Sequence, residues 1–297
     1  TTLQLVKPAH NQGRKPSTME TNMNKLKHLV SGLALLSCAM TATTALAYTA
    51  DIPEEVEDKG RATIGLAVGT GPDYEGSDDY ETTVAPFGRY SWANGRYLML
   101  AGTANAEKAA RLKLNLMTNK TNWRLGPILQ YRLKRDDVDN RQVDNMKEVD
   151  AATELGGFIG YNTGKLALRG TFVADVSDEH NGSVGYLNAD YHFPVTDRFA
   201  LNVGAHMTWA SDGYMETYFG VDRRNRGTSN LPNYKASSGI KDAGVSVTGF
   251  YRFNQTWGVA GLLGYTRMLN DAEDSPLVDP VGDENQMKAV VAVTYTF

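Results

Sequence analysis

The chain has 297 residues, with 30 Lys plus Arg set against 34 Asp plus Glu and a formal net charge of −4 at pH 7. It carries no basic block and no dominant face of one sign, which excludes the electrostatic footprint of a nucleic-acid partner. Its one cysteine, Cys38, rules out a disulfide framework and metal ligation by sulfur.

Thr1 to Asn22 are mostly polar and fit no element; they read as an upstream extension, with Met23 or Met19 as the start. Residues 23–47 then follow the pattern of a secretory signal. Lys25 and Lys27 supply the positive region, Leu29 to Leu36 the apolar stretch, and Ala45-Leu46-Ala47 the small-x-small cleavage site. A membrane anchor would need about 20 unbroken apolar residues, and Thr41, Thr43 and Thr44 interrupt the run. A competing lipoprotein reading places modification at Leu35-Leu36-Ser37-Cys38. Residues 48–60 form an acidic periplasmic leader containing Glu54, Glu55, Glu57 and Asp58.

From residue 61 onward the sequence alternates apolar and polar positions in strand-length segments. In the clearest, Trp123, Leu125, Pro127, Leu129 and Tyr131 share one face against Arg124, Gly126, Ile128, Gln130 and Arg132. Period two would smear apolar residues around a helix, so strands are required. The rule yields twelve segments: 61–70, 81–92, 96–104, 109–117, 122–133, 151–162, 165–177, 183–193, 198–210, 240–253, 257–269 and 284–297. Segment 96–104 has no clear parity.

The links between segments are sorted by length. Tight turns occur at 93–95, 118–121, 163–164, 194–197 and 254–256. The alternate links, 71–80, 105–108, 134–150, 178–182, 211–239 and 270–283, are more variable and include all the long ones. This pattern predicts a transmembrane antiparallel β-barrel, an up-and-down meander of twelve strands over 61–297, with short periplasmic turns, long external loops and both termini periplasmic. Trp92, Trp123, Phe193, Phe199, Phe253, Trp257 and Phe297 lie on the apolar parity beside a tight turn or at the chain end, as a periplasmic girdle would. Tyr131, Trp209 and Tyr265 stand at the opposite strand ends and would form the outer girdle. In the last segment Ala289, Val291, Val293, Tyr295 and Phe297 alternate with Lys288, Val290, Ala292, Thr294 and Thr296. It resembles the terminal strand recognised by the barrel-assembly machinery.

Several loops carry a family resemblance. Gly71-Pro72-Asp73-Tyr74-Glu75-Gly76-Ser77-Asp78-Asp79-Tyr80 with Val84-Ala85-Pro86, and Glu154-Leu155-Gly156-Gly157-Phe158, resemble the MipA/OmpV family. So do Gly126-Pro127 with Tyr131-Arg132, Tyr218-Phe219-Gly220-Val221, Tyr234-Lys235-Ala236 and Ser275-Pro276-Leu277-Val278. The resemblance implies an outer-membrane protein that scaffolds a lytic murein transglycosylase with a murein synthase. Other members are described as antigens, adhesins or proteins of osmotic and antibiotic responses. It supplies no catalytic residues and no cofactor.

The inward parity collects Arg111, Lys113, Arg124, Arg169, Arg198, Arg252 and Lys288, with Glu154, Asp175, Asp190 and Asp242 among them. Such a lumen either favours small anions, as a channel would, or is plugged by ion pairs; the plugged reading is preferred. His206 and His192 raise the question of a barrel hydrolase, but Thr208 stands where a His-x-Ser arrangement would need serine. Carboxylates in the external loops, among them Asp73, Glu75, Asp78, Asp79, Asp136, Asp137, Asp271 and Asp274, match no ordered cation loop and read as solvated charge. Arg267 would snorkel to lipid phosphates at the outer rim. The expected role is non-enzymatic: a scaffold for peptidoglycan-remodelling enzymes, with an anion-favouring channel as the alternative and a hydrolase third. Expected partners are outer-membrane lipid, lipopolysaccharide, the assembly machinery and the murein enzymes.

Overall fold

The computed structural model describes residues 60–102 and 108–297. The export signal expected at 23–47, with its Ala45 and Ala47, and nearly all of the leader lie outside the described residues.

Twelve strands run in order: β1 (Arg61–Pro72), β2 (Tyr80–Ser91), β3 (Tyr97–Gly102), β4 (Ala109–Asn115), β5 (Trp123–Arg132), β6 (Ala152–Asn162), β7 (Leu166–Asp175), β8 (Ser183–Pro194), β9 (Phe199–Ala210), β10 (Gly239–Arg252), β11 (Trp257–Met268) and β12 (Asn285–Thr296). Each pairs antiparallel with its neighbours, and β12 closes the ring on β1 from Thr63↔Thr296 to Thr70↔Ala289. Closure joins the two end strands of the sheet, so paired strands satisfy their backbone polar groups against one another within the wall. Among the described residues no helix is long and apolar enough to cross a membrane; the strands make the crossing.

Period two sorts the side chains as expected. Ile64, Leu66 and Val68 of β1 face outward, while Ala67 and Gly69 face in. Leu263 is 66% exposed on the outer wall, one of a continuous belt with Leu155, Phe172, Leu187 and Val245. An apolar surface of this extent belongs in hydrocarbon rather than water.

β4 ends at Asn115, two residues short of its predicted segment, and β7 covers Leu166–Asp175 against the expected 165–177, while the end of the segment expected at 96–104 lies outside the described residues. On the β4–β5 seam the paired register ends at Lys113↔Ile128, beside Pro127, which has no N–H to give. The Asn115 side chain restores part of the ladder there by accepting from Leu125 N at 3.3 Å. Parity in β3 is now plain: Tyr97, Met99 and Ala101 point inward.

The interior is filled in layers. A first cluster of Phe87, Tyr97, Met99, Leu262 and Val290 lies against β1–β3, β11 and β12. A second, with Phe158, Val173, Tyr186, Tyr214, Met215 and Phe219, joins strands to a loop folded inward. A third is built from loop residues alone: Tyr74, Val138, Val143, Met146, Val221, Leu231 and Leu277. It caps the end where the long loops gather. Two short helices belong to these loops, α1 (Arg141–Asp144) and α2 (Asp212–Tyr218).

Candidate functional site

The loop after β9 turns into the mouth and places α2 there. Gly182 and Gly213 allow the approach: a Cβ on Gly182 would run into Tyr214 N, and one on Gly213 would lie 2.5 Å from His180 O. Tyr214 then meets a buried ion pair. Arg132 of β5 and Glu154 of β6 sit side by side because β5 and β6 pair in that register, Gln130 lying opposite Glu154. They are 1% and 0% exposed, and Arg132 Nη2 donates to Glu154 Oε1 at 3.1 Å. Gln130 also donates to Glu154. His180 Nε2 lies 2.9 Å from Glu154 Oε1. Because His180 Nδ1 accepts from Gly182 N at 3.1 Å, the ring proton sits on Nε2, aimed at the carboxylate.

From this pair a polar chain crosses the barrel. Arg132 Nη1 donates to the Tyr214 hydroxyl at 3.0 Å, and that hydroxyl donates to Glu75 Oε2 at 2.8 Å. Glu75 Oε1 accepts from Lys241 Nζ at 2.8 Å, and Lys241 also reaches Asp242 Oδ2 at 2.5 Å. Lys241 faces inward because the β9–β10 register slips between Ile240 and Asp242, a bulge that adds one residue on β10. The chain thus ties β5, β6 and β10 to the first loop and α2. A buried network of this kind is stable only when every member is satisfied.

Above it the loops lock onto one another. Asp73 pairs with Lys108 at 3.1 Å and accepts from Asp139 N at 2.8 Å. Asp73 and Glu75 are therefore buried structural anions, correcting the expectation of solvated loop charge, since the first loop folds into the mouth instead of standing clear. Asp78 remains exposed. Tyr74 donates to Leu277 O at 3.1 Å and Tyr234 to Asp271 O at 2.9 Å. Burial pushes both tyrosines up, Tyr234 to about 12, with the Asp271 and Asp274 charges adding to the effect. Asp212 is held below the usual carboxylate range by its hydrogen bonds from Ser238. Arg267 pairs with Glu273 at 2.6 Å and Glu284 at 3.5 Å.

Beneath the network lies a cavity of about 130 Å³. Of the basic residues expected in the lumen, Arg111, Lys113, Arg169 and Lys288 line it. Arg124, Arg198 and Arg252 do not; Arg124 bonds Thr121 O and Trp123 O, while Arg198 and Arg252 are exposed at the short-turn rim. His206 Nε2 lies 3.2 Å from Thr266 Oγ1, and His192 Nδ1 lies 2.7 Å from Asn202 Oδ1. Ser211 Oγ instead accepts from Ser183 N at 2.7 Å. Among the described residues no group of three or more His, Cys, Asp or Glu is arranged to hold a metal ion.

Residues 64–297, the whole barrel but its first strand's start, match the family model described as MltA-interacting protein MipA. The chain belongs to the MipA family. It is 25% identical over 260 residues to the MltA-interacting protein of Escherichia coli K12, covering 86% of this chain and 94% of that one. It is 25% identical over 145 residues to the putative outer membrane protein YiaT of the same organism, covering 48% of this chain and 56% of that one. Among solved structures, an outer membrane channel from Pseudomonas putida F1 matches with a TM-score of 0.43 at 12% identity, over 82% of this chain and 99% of that chain. The NanC porin matches with a TM-score of 0.42 at 11% identity, over 77% and 98%.

As a MipA-family member the chain is an outer-membrane β-barrel, and its two rims differ. At the short-turn rim Trp92, Trp123, Phe193, Phe253, Trp257 and Phe297 are exposed on the outer wall, and Phe199 is half-buried. They stack edge-on with tyrosines: Tyr90 on Trp92 at 5.0 Å, Trp123 on Tyr161 at 4.9 Å, and Tyr295 between Trp257 and Phe297 at 4.9 and 4.7 Å. Trp209, Tyr131 and Tyr265 are exposed toward the long-loop rim. Sequence reasoning missed His180, Tyr214 and Lys241. The available signals were an aromatic-rich external loop and a lysine on the lipid-facing parity of β10.

Proposed function

We propose that this MipA-family barrel is an interaction protein that holds a peptidoglycan-remodelling enzyme at the inner face of the outer membrane. The observation that carries the reading is the family match across the barrel, because the E. coli relative that spans 86% of the chain is named for interacting with MltA. The mouth filled by the Arg132–Glu154–Tyr214–Glu75–Lys241 chain supports it, since a lumen built shut is poorly suited to passing solutes. The anion-favouring channel has less support for the same reason. A hydrolase has less still, with His206 engaged by Thr266 and Ser211 by Ser183.

In this reading the short-turn rim faces the periplasm, and the aromatic rings at 92, 123, 193, 199, 253, 257 and 297 meet the inner interface. Trp209 and Tyr265 meet the outer one. The tight turns and the 48–60 leader are then the surfaces open to a murein transglycosylase and a murein synthase. Export relies on the 23–47 signal, cleaved after Ala47, and insertion on the barrel-assembly machinery.

The test is co-purification from detergent-solubilised membranes. A lytic murein transglycosylase should be retained on the tagged barrel and lost when the leader and turns are replaced by Gly-Ser sequences of equal length. Failure to retain the enzyme at micromolar concentrations would overturn the scaffold role.

A further inference from the structure

The short-turn end of the barrel carries a ring of cations. Arg61 opens β1, Arg124 follows Trp123 on β5, Lys165 precedes β7, Arg198 precedes β9 and Arg252 ends β10. Trp123, Leu166 and Phe253, next to three of them, are exposed on the outer wall, so strand alternation turns the cations to the inner side of the girdle. Arg96 and Lys120 add two more charges from the tight turns. Arg96 Nε donates to Leu116 O at 3.1 Å, Arg124 Nη1 to Thr121 O at 2.7 Å and Arg252 Nη2 to Asp197 O at 2.9 Å. These backbone carbonyls orient the guanidinium groups without neutralising them. Among the described residues none of the seven pairs with a carboxylate. The carboxylates at this end are Asp197 and the last carboxyl, on Phe297, while Asp190 is buried further up β8 opposite Ala167 and Gly204. The long-loop end differs: there Lys134 pairs with Asp136, Arg224 with Asp222 at 2.7 Å and Arg267 with Glu273 at 2.6 Å.

The complementary charge lies next in the sequence. Asp51, Glu54, Glu55, Glu57 and Asp58 precede Arg61, with Lys59 the one cation among them. The residues from 51 to 60 span at most about 33–36 Å. Twelve strands about 4.8 Å apart and tilted about 40° close a ring roughly 24 Å across, so these acids are within reach of every cation in it. We propose that the ring of Arg61, Arg124, Lys165, Arg198 and Arg252 is the docking site of the chain's own acidic segment, Asp51 to Asp58. The strand wall and its girdle stand between the ring and lipid phosphates. The acidic segment instead is joined to the ring at Arg61, and a short tether gives an effective concentration of about a millimolar, ahead of a dilute acidic partner. Opposite charge at that concentration favours docking wherever salt does not screen it. The docking needs no murein enzyme, so it stands or falls apart from the scaffold role.

The test is limited proteolysis of the folded full chain in non-ionic detergent by a glutamyl endopeptidase, read at Glu57. Cleavage should be slow at about 0.01 M salt and about tenfold faster at about 1 M, where the Debye length falls from about 30 Å to about 3 Å. The triple variant Lys165→Gln, Arg198→Gln, Arg252→Gln should be cut at the fast rate at both salts, in protein that keeps its heat-modifiable gel mobility. Reversing both partners, with Arg198→Glu and Arg252→Glu set against Glu54→Lys and Glu55→Lys, should restore slow cleavage at low salt and so separates lost charge from damaged fold. A parent chain cut at low salt as fast as the triple variant would overturn the proposal and leave the ring to a separate acidic protein. Slow cleavage that survives in the triple variant, or no rescue by charge reversal, would overturn it as well.

Discussion

Glu154→Gln is the most informative single change, because it removes one charge and almost no volume from the centre of the mouth. Glu154 is fully buried and takes hydrogen bonds from Arg132, Gln130 and His180. The amide keeps the shape but cannot balance Arg132, which is 1% exposed and cannot shed its proton. Leaving one member of a buried pair unbalanced costs about 3–5 kcal/mol. Replacing Arg132 as well, by Met, removes the stranded cation, and paired apolar replacement is often neutral. The double variant E154Q/R132M should therefore be at least ~2 kcal/mol more stable than E154Q. Urea unfolding in lipid vesicles, followed by tryptophan fluorescence, measures both. A cost below ~1 kcal/mol for E154Q, or a double variant no better than the sum of the singles, would refute a desolvated pair holding the mouth closed.

Lys241→Met should strand Glu75 and Asp242 as buried like charges and cost about 3–5 kcal/mol in the same assay, whereas Lys235→Met on the exposed face should cost under ~0.5 kcal/mol. Gly182→Ala puts a methyl against Tyr214 N and should destabilise by about 1–3 kcal/mol, seen as faster proteolysis within 211–238. Alkali should loosen the cap. Tyr234 is raised from 10.0 to about 12, so the unfolded loop loses its proton first as pH rises. Stability should be flat below pH 10 and fall between pH 10 and 12, with tyrosinate absorbance rising together with protease access to the 211–238 loop.

The barrel was largely legible because lipid on one side of each strand imposes period two. Trp123, Leu125, Leu129 and Tyr131 announce β5 and its facing within a few residues. Loop sorting gave the meander, and the closed ring follows it strand for strand. Tertiary contact alone decides what periodicity cannot reach. Tyr214, Met215, Tyr218 and Phe219 stand at i, i+1, i+4 and i+5, the spacing of one helix face, but the helix is only seven residues long, so the pattern is too short to announce burial under the mouth. His180 sits in a seven-residue link whose length says nothing about where its ring points. In β10, parity placed Asp242 inward and Lys241 toward lipid; the bulge resolves that conflict by turning both into the lumen. Of the basic residues assigned to the lumen by parity, height along the strand separates Arg111, Lys113, Arg169 and Lys288 at the cavity from Arg198 and Arg252 at the rim.

Planar-bilayer recording of the purified barrel tests the closed mouth most directly. The network from Glu154 to Asp242 predicts no steady conductance for the parent chain and intermittent openings for E154Q. Steady, anion-selective steps from the parent barrel would contradict it and make the protein a channel.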